Sequence, residues 1–326
     1  MTNSYPLRFQ PLLKRYLWGG RKLATALGKD LGPENDYGES WEISDHGDNQ
    51  TIVANGPWQG VSLGALVREH GTDLLGRHYP QPCFPLLIKF LDAQQNLSLQ
   101  VHPNDELAAK LIPPDNGKTE AWYVLHAEPG SVIYAGLQPG VDRKQFEQSL
   151  RTGCGAELVN QIHPQAGDCI FLRAGVVHAL GRGILVAEVQ QSSDVTYRLS
   201  DWKRFGPDGK PRQLHLDRGL EAVDFSLGPI IPQVPQPGES ADIVRLVECD
   251  KFILDRWQIT APVALGGDER FHIVQPLFGE IRIGGNPESK ALRLGDTCLL
   301  PAGLGRVTLI PEGKSAFLDV YLPLVG

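Results

Sequence analysis

A nine-residue pattern occurs twice in this chain, and no other feature restricts the fold as much. Gly167–Gly175 reads GDCIFLRAG, and Gly295–Gly303 reads GDTCLLPAG. In each copy glycines flank a short apolar run, which is typical of a β-strand between two turns. A repeated segment of this kind indicates one β unit that occurs twice along the chain. Three positions after the last glycine stand His178 in the first copy and Arg306 in the second, so we expect the polar function in the first unit alone.

The composition agrees with a chain built mainly from short strands. The 326 residues include 36 glycines and 25 prolines, and 41% are hydrophobic, which allows a sizeable core. We expect an all-β fold with a few short helices. A first unit is predicted over residues 1–228, a proline-rich linker over 229–240 and a second β unit over 241–326.

Short helices are predicted where apolar spacing or capping residues allow them. They are residues 62–75, a segment that starts at Pro103-Asn104, residues 142–150 and residues 212–223. Apolar runs over residues 85–91 and 184–191 predict buried strands.

Charge and cysteine content exclude several classes of protein. A net charge of −7 and a pI near 5.7 argue against a nucleic-acid binder or a protein of anionic membranes. The five cysteines are widely spaced and form no Cys-x-x-Cys pair, so neither a disulfide framework nor a thiolate metal site is expected. With no signal peptide and no long apolar run, we expect a soluble cytoplasmic protein, a monomer or weak homo-oligomer.

A candidate metal site begins in the segment Leu97–His102. Apolar and polar residues alternate strictly there, so Gln100 and His102 are expected on one face of a strand. Glu120 opens a following strand, and His178 comes after a glycine turn. Two imidazoles, an amide and a carboxylate are nitrogen and oxygen donors that suit Zn²⁺, Fe²⁺, Mn²⁺ or Co²⁺.

An isolated histidine on a strand is more often a structural residue than a metal ligand. Seven other histidines compete for the role: His46, His70, His78, His126, His163, His215 and His272. The Gln-x-His pair is the stronger indication, because an inward amide beside an imidazole needs a partner.

Several motifs, in order, resemble one known family. Residues 97–104 (LSLQVHPN), 117–120 (GKTE), 175–181 (GVVHALG) and 188–198 (EVQQSSDVTYR) resemble the successive motifs of the type I mannose-6-phosphate isomerases, which belong to the cupin superfamily. The segment 38–44 resembles the N-terminal block of that family. The resemblance spans about residues 5–225, continues weakly to the end of the chain, and is strongest with the short bacterial form.

The resemblance implies two cupin units, each a jelly-roll β-barrel, of which the second is degenerate. It implies one zinc ion held by Gln100, His102, Glu120 and His178, and a catalytic Arg198. Lys118 and Asp194 match active-site positions of the family whose roles are less specific. The implied substrate is a phosphorylated hexose, with mannose 6-phosphate and fructose 6-phosphate interconverted.

Aldose–ketose isomerisation passes through an enediol(ate), so it needs positive charge near two oxygens and a group that moves a proton. Arg198 does not titrate and fits a clamp on the enediolate or the phosphate. Lys118 could bind an oxygen or act as the base, and Asp194 and Glu188 are the carboxylate candidates for proton transfer. Asp194 and Arg198 could instead form a simple ion pair. Lys203-Arg204 is the nearest basic pair for a phosphate, or a solvated surface pair.

Two other functions stay open. A metal-dependent cupin dioxygenase would need more imidazole ligands and an apolar pocket, whereas this site is rich in amide and cationic groups. A sugar-binding cupin without turnover would not need Lys118, Asp194 and Arg198 beside the four ligands.

Overall fold

The structure is a computed structural model that describes residues 4–206, 209–284 and 290–324. The strands are β1 (Phe9–Gln10), β2 (Leu12–Gly20), β3 (Tyr37–Ile43), β4 (Asp45–His46), β5 (Asn49–Gln50), β6 (Ile52–Val53), β7 (Leu86–Ala93), β8 (Leu99–Val101), β9 (Glu120–Ala127), β10 (Ile133–Leu137), β11 (Val159–Ile162), β12 (Cys169–Leu172), β13 (His178–Leu180), β14 (Ile184–Gln191), β15 (Tyr197–Ser200), β16 (Gln236–Pro237), β17 (Ile243–Glu248), β18 (Ile253–Ile259), β19 (Val263–Leu265), β20 (His272–Phe278), β21 (Ile281–Ile283), β22 (Cys298–Leu300), β23 (Val307–Pro311) and β24 (Ser315–Tyr321).

The α-helices are α1 (Lys22–Thr25), α2 (Leu63–Leu75), α3 (Asp105–Ala108), α4 (Arg143–Thr152) and α5 (Leu216–Ala222), and 3₁₀ turns lie at Gly76–His78, Gly155–Leu158 and Ala302–Leu304. None of the helices in the described ranges combines the length and apolar character needed to cross a bilayer.

Two antiparallel sheets form the first unit. One has the strand order β12-β9-β14-β7-β3-β2, and the other has the order β11-β10-β13-β8-β15. They pack on each other through apolar residues from both, including Leu91, Trp122, Ile170 and Leu180. The predicted all-β fold is confirmed, with Gln100, Glu120 and His178 on strands of this sheet pair and His102 directly after β8.

The six-stranded sheet is buried on both faces. Every residue of β7 and β14 is buried, and alternation along β7 places Ile88 and Phe90 on one face and Leu91 and Ala93 on the other. The first face packs against α2 and the second unit, whereas the second face looks toward the five-stranded sheet. Charged residues that lie on the same face of the sheet as Leu91 therefore point toward the five-stranded sheet, into the interior of the first unit.

Helices α4 and α5 cover the outer face of the five-stranded sheet. Phe146 of α4 and Leu220 of α5 pack with Leu99, Val101 and other apolar residues of that sheet. Because these apolar residues alternate with Gln100, the helices hold β8 with the Gln100 side chain turned toward the other sheet.

The predicted helices are present, and side chains cap the starts of α2, α3 and α4. The Ser62 side chain accepts a hydrogen bond from the Ala65 amide, and Asn104 accepts one from the Leu107 amide. Asp142 and Gln145 form a reciprocal capping box at the start of α4. Helix α5 begins at Leu216, four residues later than the sequence predicts.

The second unit pairs a six-stranded sheet, β16-β17-β18-β24-β20-β22, with the three-stranded sheet β19-β23-β21. Within the described part of 241–326 there are eight strands, where the sequence predicts about seven. Phe317, Val274 and Leu309 pack between the two sheets, and Leu254 and Leu318 face the first unit.

Several contacts cross the predicted domain boundaries. Leu7 and Leu299 pair as an antiparallel bridge, so the N-terminal segment extends the second unit. Within the proline-rich segment, the Gln233 amide donates to the Cys169 carbonyl at 2.7 Å. The boundaries at 228 and 240 stay a prediction, as does the monomeric or weakly oligomeric state.

Strand register relates the two copies of the repeat. Leu172 of the first copy pairs with Glu120, and the corresponding Leu300 pairs with His272. His272 thus occupies in the second unit the register position of Glu120. Arg306, in contrast, is exposed directly before β23.

His272 lies buried between two carboxylates. Its Nδ1 atom is 2.9 Å from Asp319 Oδ1, and its Nε2 atom is 3.3 Å from Asp268 Oδ1. Burial alone lowers the pKa of His272, but the charges of Asp319 and Asp268 outweigh it and raise the pKa to about 9. The second unit therefore keeps a charged histidine in its interior near neutral pH.

This ion cluster predicts a pH-dependent stability. Because the pKa of His272 is higher in the folded state, its contribution is full below about pH 6.5 and is lost as the pH rises through 9. The shift corresponds to about 3 kcal/mol. The free energy of unfolding is measured by urea titration at pH 6.5 and at pH 9.5. Between these two pH values we expect it to fall by about 3 kcal/mol more in the parent protein than in His272→Gln. The exposed His126→Gln is the control, and equal pH dependence in the parent and the His272 variant would contradict the assignment.

Candidate metal centre

Three of the predicted ligands converge in the interior of the first unit. His102, Glu120 and His178 are buried, and one potential ligand atom from each lies within 4.8 Å of the others. His178 Nε2 is 3.3 Å from Glu120 Oε1, and His102 Nε2 is 3.6 Å from Glu120 Oε2. The three side chains come from β13, from the end of β8 and from β9, so two facing sheets contribute donors.

Backbone carbonyls orient both imidazole rings. His102 Nδ1 lies 2.7 Å from the Val195 carbonyl oxygen, and His178 Nδ1 lies 2.9 Å from the Val176 carbonyl oxygen. A carbonyl only accepts hydrogen bonds, so each Nδ1 atom carries the proton and each Nε2 atom keeps its lone pair. Both lone pairs are therefore available to a metal, and each ring is held by a second partner as in known metal sites.

The donor set fits a divalent cation. Glu120 Oε1 is buried and forms no hydrogen bond within the described chain, while the lone pair of His178 Nε2 faces it at 3.3 Å. Two electron-rich atoms so close together repel each other unless a cation lies between them. With two imidazoles and one carboxylate, the group can bind a metal ion.

Gln100 completes the cluster through its amide end. Its Nε2 atom is 3.3 Å from His178 Nε2 and 3.5 Å from His102 Nε2, and its Oε1 atom accepts a hydrogen bond from Ser98 at 3.2 Å. Rotation of the amide by 180° exchanges the oxygen and the nitrogen. Gln100 therefore lies where its oxygen can serve as a fourth ligand.

Electrostatics keep these donors in the form that a metal requires. Burial and the Lys118 ammonium hold the pKa of His102 well below its usual value, so the ring is neutral. Burial acts to raise the pKa of Glu120, but Lys118 and the imidazoles outweigh it and hold this pKa well below its usual range. Neutral imidazole and ionised carboxylate are the forms that bind a metal ion.

Lys118 lies directly against the cluster. Its Nζ atom is 2.5 Å from Glu120 Oε2 and 3.2 Å from His102 Nε2, and the side chain is buried. Alternation along the extended segment places Lys118 on the same side as Glu120, as its sequence position predicts.

A cavity of about 290 Å³ opens beside the ligands. The residues that line it are Tyr16, Trp18, Glu39, Lys89, Leu91, Leu97, Ser98, Gln100, Lys118, Trp122, Glu188, Asp194, Thr196, Arg198 and Arg212. All the non-ligand residues predicted for the site, Lys118, Asp194 and Arg198, are thus brought to one cavity. Asp194 is exposed at its rim.

Arg198 reaches the cavity from β15. Cross-strand register aligns it with Gln100, which itself pairs with His178. One guanidinium nitrogen donates to the Gln213 carbonyl at 2.9 Å, and Nε is buried with no hydrogen-bond partner in the described residues. Across the same residues there is no Asp194–Arg198 ion pair, so that alternative interpretation was wrong.

Another wall of the cavity carries a buried ion cluster, in which Glu188 was a predicted candidate but Lys89 and Glu39 were not. Lys89 Nζ lies 3.3 Å from Glu188 Oε2 and 3.8 Å from Glu39 Oε2, and it lies over the Trp41 ring at 4.7 Å. A lysine inside an otherwise apolar strand was the available signal, because a buried ammonium requires paired carboxylates.

Glu188 is the buried carboxylate of this wall. Its Oε1 atom accepts a hydrogen bond from Trp122 Nε1 at 2.8 Å, while Oε2 has no hydrogen-bond partner in the described chain. Burial raises the pKa of Glu188, opposed by Lys89 and reinforced by Glu120. The carboxyl group therefore binds a proton more readily than that of an ordinary glutamate.

The basic pair Lys203-Arg204 does not line the cavity. Lys203 is exposed, and Arg204 is held by Asp201 Oδ1 at 2.6 Å and by the Asn96 carbonyl. Arg212 stands at the cavity instead, 3.3 Å from Asp201. Arg212 lies in the segment that follows β15, and no local motif in the sequence indicates that this segment reaches the cavity.

Two models of known protein families match parts of this chain. Residues 7–137 match the model of the type I phosphomannose isomerase catalytic domain, and residues 242–321 match that of the mannose-6-phosphate isomerase cupin domain. The second match confirms the predicted cupin character of the second unit.

Relatives cover nearly the whole chain. Mannose-6-phosphate isomerase ManA of Bacillus subtilis is 34% identical over 97% of this chain and 99% of its own. The mannose-6-phosphate isomerase of Streptococcus mutans is 34% identical over 91% of this chain and 92% of its own. A crystal structure of the mannose 6-phosphate isomerase from Bacillus subtilis superposes with a TM-score of 0.88 at 29% identity, covering 98% and 99% of the two chains. By sequence and fold, this chain belongs to the type I phosphomannose isomerase family.

Proposed function

We propose that this protein is a metal-dependent aldose–ketose isomerase that interconverts mannose 6-phosphate and fructose 6-phosphate through an enediol(ate). The observation that carries the proposal is the convergence of His102, Glu120 and His178 beside a cavity that also holds Arg198 and Glu188. The relatives named as mannose-6-phosphate isomerases supply the substrate pair.

We assign Gln100, His102, Glu120 and His178 as the ligands of one Zn²⁺ ion. Nitrogen and oxygen donors without sulfur suit Zn²⁺, and Mn²⁺, Fe²⁺ and Co²⁺ accept the same set. When bound, the ion would supply Lewis-acid charge for the negative oxygens that develop at C1 and C2.

Glu188 is the residue we propose for proton transfer between C1 and C2. It is buried in the wall of the cavity with one oxygen free of hydrogen bonds in the described structure, and its raised pKa suits both uptake and return of a proton. Asp194, the other carboxylate candidate, is exposed at the rim, where we place it in substrate contact.

Cationic side chains hold the negative charge of the substrate. Lys118 lies beside the metal ligands and is placed to hold a sugar oxygen. Arg198 and Arg212 line the same cavity and offer guanidinium groups to the phosphate or the enediolate. Lys89, which lies 3.3 Å from Glu188 and 3.8 Å from Glu39, offsets part of the negative charge of these two carboxylates.

A coupled assay tests the proposal. Fructose 6-phosphate formation from mannose 6-phosphate is measured with the protein as purified, after chelation, and after Zn²⁺ is restored. We expect turnover that chelation abolishes and zinc restores. Absence of turnover in protein with one metal per chain would overturn the isomerase assignment and favour a sugar-binding cupin without activity.

A cupin dioxygenase is the less favoured alternative. Its apolar substrate would meet a cavity wall that carries Lys89, Lys118, Arg198, Arg212, Glu39 and Glu188. The coupled assay distinguishes the two, because a dioxygenase would consume oxygen and would form no fructose 6-phosphate.

Arg198→Ala is expected to lower kcat/KM by about 100- to 1,000-fold, the range for loss of one charge-stabilising donor. Metal content should not change, because Arg198 forms its hydrogen bond to Gln213 and not to a ligand imidazole. Metal analysis and steady-state kinetics on the same preparation check this. The exposed Arg151→Ala, on α4, is the control. Loss of metal from the Arg198 variant would contradict the role assigned here.

A further inference from the structure

We propose that Lys251, a residue of the second β unit, is a positioning residue for the segment that carries Lys118 and Glu120. The inference rests on the proposed function for its catalytic consequence, although the contacts that carry it do not depend on which reaction is catalysed. It assigns to the second unit a direct part in arranging the metal centre.

The contact begins at Asp105, the first residue of α3. One carboxylate oxygen, Oδ2, lies 2.8 Å from Lys251 Nζ. The other, Oδ1, accepts hydrogen bonds from the Gly117 amide at 2.8 Å and from Gln191 Nε2 at 2.9 Å. A single carboxylate thus joins the second unit to the residue immediately before Lys118.

Gln191 extends the connection to the residue on the other side of Lys118. Its Oε1 atom accepts a hydrogen bond from the Thr119 backbone amide at 3.0 Å, and the backbone amide of Gln191 donates to the Thr119 carbonyl at 3.2 Å. Asp105 and Gln191 therefore clamp both peptide neighbours of Lys118, and Thr119 directly precedes the ligand Glu120.

Gly117 shows how closely this segment packs against α3. A Cβ atom at Gly117 would lie 2.5 Å from the Asp105 amide nitrogen, a distance no side chain tolerates. The position of the Asp105 carboxylate consequently fixes the path of the chain into Lys118. A displaced carboxylate would move the segment with it.

Lys251 has a rigid base for this role. It lies in the turn between β17 and β18, next to the fully buried Phe252. The Phe252 ring packs edge-on against the ring of Phe171 on β12, with 6.3 Å between the ring centroids. Asp250 lies 2.8 Å from the same ammonium. Burial alone lowers the pKa of Lys251, but the two carboxylates outweigh it and raise the pKa, so the cation persists above neutral pH.

Little packing substitutes for the ion pair. Cavities of about 590 and 400 Å³ lie beside it, and Asp105, Gln191 and Lys251 line both. With open space around the two charged groups, the ammonium is what holds the Asp105 carboxylate against the second unit.

The test compares Lys251→Met with Asp250→Asn and Lys251→Arg in the full chain. Hydrogen exchange of the Gly117 and Thr119 amides is followed by NMR in metal-free and Zn²⁺-loaded protein, together with zinc release to a chromophoric chelator. In Lys251→Met we expect hydrogen exchange at both amides to be about three- to fivefold faster, and zinc release to be faster by the same factor. This is the size of effect expected when a partly exposed ion pair is lost. The catalytic rate should fall by a similar factor at unchanged KM.

The two companion variants separate positioning from general stability. Asp250→Asn removes the other partner of Lys251 and should stay close to the parent protein, and Lys251→Arg should restore most of the protection. Unchanged exchange at Gly117 and Thr119 in Lys251→Met would overturn the proposal, and so would equally faster exchange throughout the chain. Exchange is measured without turnover, so a protein inactive as an isomerase would overturn the proposed function and leave this test intact.

Discussion

His178→Ala is expected to abolish metal retention and to reduce isomerase kcat/KM by at least about 1,000-fold, because the Lewis acid leaves with its ligand. His178 supplies one of the two imidazole Nε2 atoms that face the Glu120 carboxylate. Its removal leaves the carboxylate, one imidazole and the weakly donating amide of Gln100, a set that holds a divalent ion much less firmly. Zinc per chain, measured after dialysis against a weak chelator, should fall from near one to near zero.

The matched control is His126→Ala. His126 is exposed on β9, the strand that carries Glu120, so its loss should change neither zinc content nor rate. A circular dichroism spectrum like that of the parent protein would show that His178→Ala still folds. If the His178 variant kept both its metal and its turnover, the ligand assignment would be wrong.

Glu188→Gln is expected to keep the metal and to lower kcat by about 100- to 10,000-fold, the contribution typical of a positioned acid or base. The variant side chain has the same shape and can still accept the hydrogen bond from Trp122. It cannot exchange a proton with the substrate. With proton transfer slowed, substrate carrying deuterium at C2 should react with a larger primary isotope effect than in the parent protein.

Glu39→Gln separates proton transfer from charge balance. Glu39 is the other carboxylate near Lys89 and lines the same cavity, so its neutralisation leaves the ammonium with one carboxylate, as Glu188→Gln does. We expect a loss in kcat of less than about tenfold and no change in the isotope effect. Equal losses in the two variants would show that Glu188 acts through Lys89 alone, and Asp194 would then be the next candidate for the proton carrier.

Part of the fold was predictable because its signals are local. The alternation of Leu99, Gln100 and Val101 predicts which face of β8 is polar, and the structure buries the two apolar residues beneath α4 and α5. Ser62 and Asn104 predict the starts of α2 and α3 through hydrogen bonds that span three residues. The two copies of the glycine-bounded pattern predict a second unit like the first.

The wall of the cavity that carries Lys89 and Glu188 was not predictable in the same way. Lys89 stood out only as a charge inside an apolar run, and Glu188 only as one of two carboxylates near Arg198. They meet because β7 pairs with β14 in the register that places Lys89 opposite Glu188. That register depends on burying both faces of the whole six-stranded sheet, a condition spread over residues far apart in the chain.

The sequence by itself determined the two β units and the face on which Gln100 and His102 lie, and its resemblance to a family indicated the metal donors. Only the tertiary structure decided which cations and carboxylates share the cavity with those donors, and that Lys251 of the second unit reaches the segment before Glu120. The physical reason is the range of the interactions. Periodicity and caps act within a few residues, whereas a buried charge finds its partner only when distant strands pack and exclude water.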